Sequence, residues 1–130
     1  MYLEVFYSGI IASNKISTLS RVNFMNFNIT IDEESYTLEV KDELMQELQN
    51  VHNDMDAEFD KGIQLGRYWI DTPDLEQRCQ FTANNVVSAI HQEKIRDFYL
   101  QASYILSKFP DLKRVTVSSD FEISDIDIEV

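Results

Sequence analysis

Phe59-Asp60-Lys61-Gly62-Ile63-Gln64-Leu65-Gly66-Arg67-Tyr68-Trp69-Ile70-Asp71-Thr72-Pro73 is the stretch whose reading decides the fold. It holds two of the three glycines and the only tryptophan, and the only cysteine, Cys79, follows closely. Read as the tip of a helical hairpin, one helix ends near Ile70 and Asp71-Thr72 forms the corner. Pro73 then opens the next helix, where its missing N–H leaves no bond unmade, and Thr72 caps the exposed amides.

Upstream of this tip, Leu44, Leu48, Val51, Met55 and Phe59 recur at helical spacing, and Gly62 and Gly66 continue the same stripe. Asp42 suits the N-cap of that helix. Downstream, Leu75, Cys79, Ala83, Val86 and Ile90 form a matching stripe, carried on by Ile95, Phe98, Ala102, Ile105, Leu106 and Phe109. Residues 73–109 are thus one long arm or two helices broken near His91; length statistics favour the break. Antiparallel pairing about a two-residue corner puts Gly66 opposite Cys79, Gly62 opposite Ala83, Phe59 opposite Val86 and Met55 opposite Ile90. Small residues then meet at the tip and large ones toward the base.

On either side of the helices the period changes from 3.6 to 2. Phe27, Ile29 and Ile31 alternate with Asn26, Asn28 and Thr30. After Asp32-Glu33-Glu34-Ser35, Tyr36, Leu38 and Val40 alternate with Thr37, Glu39 and Lys41. These runs predict a β-hairpin over 26–41 with one buried face. Val115 and Val117 predict a strand returning to that sheet. Phe121 to Val130 alternates too, with a phase change at Ser124-Asp125 that calls for a bulge or turn. The expected class is α+β: an N-terminal β-hairpin, a helical hairpin (42–70 and 73–109), and C-terminal strands. Residues 1–24 lack a clear period, although Tyr2 to Tyr7 has the look of a strand, and are read as an extension to a single domain over 25–130.

The formal charge is −12 over 130 residues, a surface that repels nucleic acid and anionic membrane. Acids concentrate at 26–60 and 119–130, so the helical tip is close to neutral. A lone cysteine forms no internal disulfide and fits a reducing compartment, taken as the cytoplasm. No apolar run is long enough to cross a bilayer.

Three groups of residues are candidates for function. Arg67, Tyr68, Trp69, Arg78 and Phe81 combine the residue types that dominate protein interfaces. His52, Asp56 and His91 are the only combination with a metal-site flavour, yet they match no dimetal or zinc motif. Cys79, beside Arg78 near a helix start, has no base close to it in sequence and reads as packing. Nucleotide-binding glycine loops are absent. The expectation is a non-enzymatic interaction protein without cofactor, working through a protein partner and through a homodimer. A small metal-dependent enzyme and an acidic decoy of a nucleic-acid-binding protein are the alternatives.

Overall fold

A computed structural model describes residues 23–120 and 122–130. Apart from Asn23 and Phe24, the extension read at 1–24, with its strand at Tyr2 to Tyr7, lies outside the described residues. The fold is α+β. The chain runs β1 (Phe24–Ile31), β2 (Glu34–Lys41), α1 (Asp42–Glu47), α2 (Gln49–Phe59), β3 (Ile63–Leu65) and β4 (Tyr68–Ile70). It continues with α3 (Leu75–His91), α4 (Ile95–Lys108), β5 (Arg114–Val117), a 3₁₀ turn (Ile123–Asp125) and β6 (Asp127–Glu129).

Four strands form one sheet in the order β2-β1-β5-β6. β1 and β2 are antiparallel from Phe24↔Lys41 to Ile31↔Glu34, so the turn is only Asp32-Glu33 rather than the four residues expected. Asp32 takes φ 56°, a left-handed conformation that a short polar side chain tolerates. β5 returns parallel to β1, with Ile29 beside Val115, and β6 pairs antiparallel on its outer side. Period-two alternation sends Phe27, Ile29, Ile31, Leu38, Val40 and Val115 into the core, all buried. The opposite face is polar, where Thr37 donates to the Asn28 amide oxygen (2.8 Å) and Asn28 donates to the Lys113 carbonyl (3.1 Å). The phase change at Ser124-Asp125 is the 3₁₀ turn. On the edge strand, Glu129 is paired with Arg114 at 3.1 Å rather than free.

The break near His91 is present. α3 ends there, Glu93 takes φ 57°, and the Lys94 and Glu93 N–H groups donate back to Ala89 and Ile90 carbonyls. That is a Schellman closure made with glutamate where glycine is usual. The packed helical pair is therefore α3 with α4, both from the second expected arm (73–109), with Asn85 reaching Gln101 between them (3.5 Å).

The first arm needs correction. It is broken at Leu48 and stops at Phe59, not Ile70, and 63–70 is a second β-hairpin. Gly62 and Gly66 were counted as small residues of a helical stripe, but both have positive φ, at 97° and 62°. Glycine reaches that region without cost and helices do not use it. The pairing drawn from the longer arm changes accordingly: the Phe59 ring packs edge-on against Phe81 and Tyr104. Two caps also move. Lys41, not Asp42, precedes α1, without a side-chain bond. Asp74, not Thr72, caps α3 in a reciprocal box with Gln77, leaving Pro73 outside the helix. Among the described residues no helix is long and apolar enough to cross a membrane.

Candidate functional site

The second hairpin is built from two three-residue strands, of which β3 alternates in burial while β4 is exposed at Tyr68 and Trp69 and half-buried at Ile70. Ile63 and Leu65 are buried and fix β3 to the core, while Gln64 between them is exposed. Gln64 stands opposite Trp69 in the ladder, so the indole shares the outward face. Gly66 and Arg67 make the turn, and Arg67 is ion-paired with Glu122, tying the turn to the 3₁₀ segment. Tyr68 and Trp69 are 56% and 57% exposed.

Trp69 is nevertheless fixed. Its indole N–H donates to Asp71 Oδ1 at 2.7 Å, and its six-membered ring lies against Gly62. A Cβ on Gly62 would sit 2.4 Å from Trp69 Cζ2 and 3.0 Å from the Ile70 carbonyl oxygen. Gly62 is thus required twice, for its φ and for the space its hydrogen leaves. Gly62→Ala is expected to lower stability by about 1–3 kcal/mol and to displace the indole. Urea titration checks the first effect, and a shift of the tryptophan emission spectrum of the folded variant checks the second.

Arg78 and Phe81, grouped with the tip by sequence, point inward. Arg78 donates to the Pro73 carbonyl (3.0 Å), Asp56 Oδ1 (3.1 Å) and Asp60 Oδ1 (2.7 Å). Phe81 is partly buried, edge-on to Phe59 with centroids 5.7 Å apart. Asp56 is the centre of this polar cluster, accepting also from the Tyr104 hydroxyl (2.6 Å) and Lys108 Nζ (2.5 Å). Burial alone raises its carboxyl, but the bonds from Lys108, Tyr104 and Arg78 overcome this and hold it below the ordinary aspartate range. Burial, with the Asp56 carboxylate as acceptor, pushes the Tyr104 phenol far up, so it stays a donor.

No family model, curated protein or solved structure matches the chain.

The His52, Asp56 and His91 set does not assemble. His52 is buried against Ser103 and lies beside Asp56 on α2. His91, at the end of α3, lines a separate cleft beside Asp32 and Glu33 of the β1–β2 turn and Glu34 at the start of β2. Among the described residues no group of three or more His, Cys, Asp or Glu side chains is placed to hold a metal ion. Cys79 is fully buried, and burial pushes its thiol up to about 12, the opposite of what a nucleophile needs. Ser103 contacts His52 but is itself fully buried and donates to the Leu100 carbonyl, so the pair packs α2 on α4 rather than presenting a nucleophile. Sequence spacing gave no sign of the Asp56 cluster, because the groups that donate to Asp56 lie 22 to 52 positions from it. The hairpin did leave a sign: Ile-x-Leu-Gly-Arg-Tyr-x-Ile is period-two around a two-residue turn.

Proposed function

We propose that this protein is a small non-enzymatic interaction module that docks a protein partner through the β3–β4 hairpin. The exposure of Tyr68 and Trp69 on a hairpin whose backbone is anchored is the observation that carries this reading. Aromatic side chains supply large contact area with few rotatable bonds, and they dominate interface energetics. Trp69 is already held by Gly62 and Asp71, so docking orders little that is not ordered beforehand. Leu75, 43% exposed at the start of α3, adds an apolar side chain close by in sequence. Asp71, Asp74 and Glu76 give the neighbourhood an acidic rim, which favours a partner with basic residues around its apolar contact. A second copy of the chain would set the same acidic rim against this one, so its association must come from the aromatic contact; it is tested first because it needs no other component. The free, buried Cys79 fits a reducing, cytoplasmic setting.

Light scattering on size-exclusion chromatography of wild type and Trp69→Ala tests the proposal. Because the ring is more than half exposed, the variant is expected to stay folded, within about 1 kcal/mol of wild type by urea titration. A wild-type dimer that becomes a folded monomer on substitution places self-association at the hairpin. Association unchanged by the substitution, or a variant that fails to fold, would show that Trp69 serves the domain's own packing.

A further inference from the structure

Helix α2 rests on α3 and α4 through few apolar groups. Of its eleven residues only His52 and Phe59 are buried, with Met55 partly so. The other attachments are polar: His52 to Ser103, and Asp56 to Arg78, Tyr104 and Lys108. Both ends of the helix are breaks, at Leu48 (φ −88°, ψ 0°) and at Gly62. Beneath its C-terminal end the surface is apolar, where the Phe59 ring packs edge-on against Phe81 and Tyr104.

His52 is the weak point of this attachment. The ring is 4% exposed, and Ser103 already gives its hydroxyl proton to the Leu100 carbonyl (2.8 Å). Nε2 must therefore donate to the Ser103 oxygen (2.8 Å), which assigns the neutral tautomer from the bonding pattern. A second proton would go to Nδ1, which has no partner among the described residues. Burial opposes that charge most, the Lys108 ammonium from α4 opposes it further, and Asp56 on α2 favours it. Tyr104 from α4 faces the ring edge-on at 6.0 Å, and Arg78 from α3 reaches the same Asp56 that would have to balance the charge. A cleft of about 350 Å³, lined by Gln49, Asn53 and Lys108 with His52, opens beside this place.

We propose that α2 is an acid-released arm: protonation of His52 lifts α2 from α3 and α4 while the sheet stays folded, uncovering the Phe81–Tyr104 surface. The direction follows from linkage. His52 is held below its ordinary value of 6.5, so its contribution to docking is complete above that pH and declines as pH falls beneath it. Asp56 is held below 3.8, so its contribution is lost only under more acidic conditions. The interval between about pH 6.5 and pH 4 therefore belongs to His52.

Hydrogen–deuterium exchange of the full chain at pH 7 and pH 5, corrected for intrinsic exchange, tests this. Peptides from 49–59 are expected to open about tenfold more at pH 5, with β1, α3 and α4 unchanged, and His52→Gln is expected to abolish the difference. Equal protection of α2 at both pH values, loss of β1 protection in step with α2, or a response that survives His52→Gln overturns the proposal. If His52→Gln does not fold, an NMR titration of the wild-type His52 ring decides. Its midpoint must fall where α2 opens, and a midpoint elsewhere overturns the proposal equally.

Discussion

Asp56→Ala is expected to lower stability by about 2–3 kcal/mol, read as a fall in the urea midpoint at pH 7 with an unchanged slope. Among the described residues Asp56 is the acceptor shared by α3 and α4: Arg78, Tyr104 and Lys108 all donate to it. Removing the carboxylate leaves Arg78 with Asp60 and the Pro73 carbonyl. It leaves the Tyr104 hydroxyl and Lys108 ammonium without their acceptor on α2. Breaking a fully buried pair costs about 3–5 kcal/mol. Here the Asp56 and Lys108 side chains are each about a quarter exposed, so water recovers part of the loss and the lower figure applies. Asp56→Asn keeps an acceptor for Tyr104 but no charge for Lys108, and should cost about half as much. A double-mutant cycle with Lys108→Met isolates the pair, and a coupling near zero would mean that Asp56 acts through Tyr104 and Arg78 alone.

Phe27→Ala is expected to cost more, about 3–5 kcal/mol. Phe27 is fully buried in β1, opposite Leu38 in the ladder, and its ring meets Phe98 of α4 edge-on with centroids 6.4 Å apart. Truncation opens a cavity at the seam between sheet and helical hairpin, where β1 has strands on both sides and cannot shift to fill it. Single domains carry about 5–15 kcal/mol in total, so a substantial share of the stability goes with one ring. Phe27→Leu, which keeps most of the volume, should cost less than about 1.5 kcal/mol. A loss below 1 kcal/mol for alanine would show that sheet and helices are less closely packed than the ring contact implies.

The β1–β2 pair was legible because a period of two with one apolar face has few other solutions, and the return of Val115 and Val117 to that sheet was legible for the same reason. The break after His91 was legible only as a question of length. Its closure uses Glu93 in a left-handed conformation, and a glutamate carries no such signal in sequence. The region 60–70 misled because glycine fits two patterns at once. Gly62 and Gly66 fall at helical spacing from Phe59, yet they also bracket Ile63-Gln64-Leu65, and the backbone angles decide for the turn. That shift brought Trp69 out of a helix onto a strand and separated it from Arg78 and Phe81. Of the five residues expected at an interface, Arg67, Tyr68 and Trp69 lie on the hairpin, while the other two pack within the domain. The Asp56 cluster was beyond reach, since no local spacing reveals which charges meet once α2 is laid across α3 and α4.

The parallel pairing of β1 with β5 has a consequence for how the chain is made. Asn28 and Lys113, bonded at the centre of the sheet, are 85 residues apart in a chain of 130. Closing so long a loop is entropically unfavourable and comes late, so contacts of this separation slow folding. On the ribosome, the β1–β2 ribbon emerges well before β5, with its apolar face uncovered until the helices follow. The sheet order cannot be completed without Arg114–Val117. Any fragment ending before Arg114 would leave β1 with an open edge, and such a fragment should aggregate rather than form a smaller version of the domain.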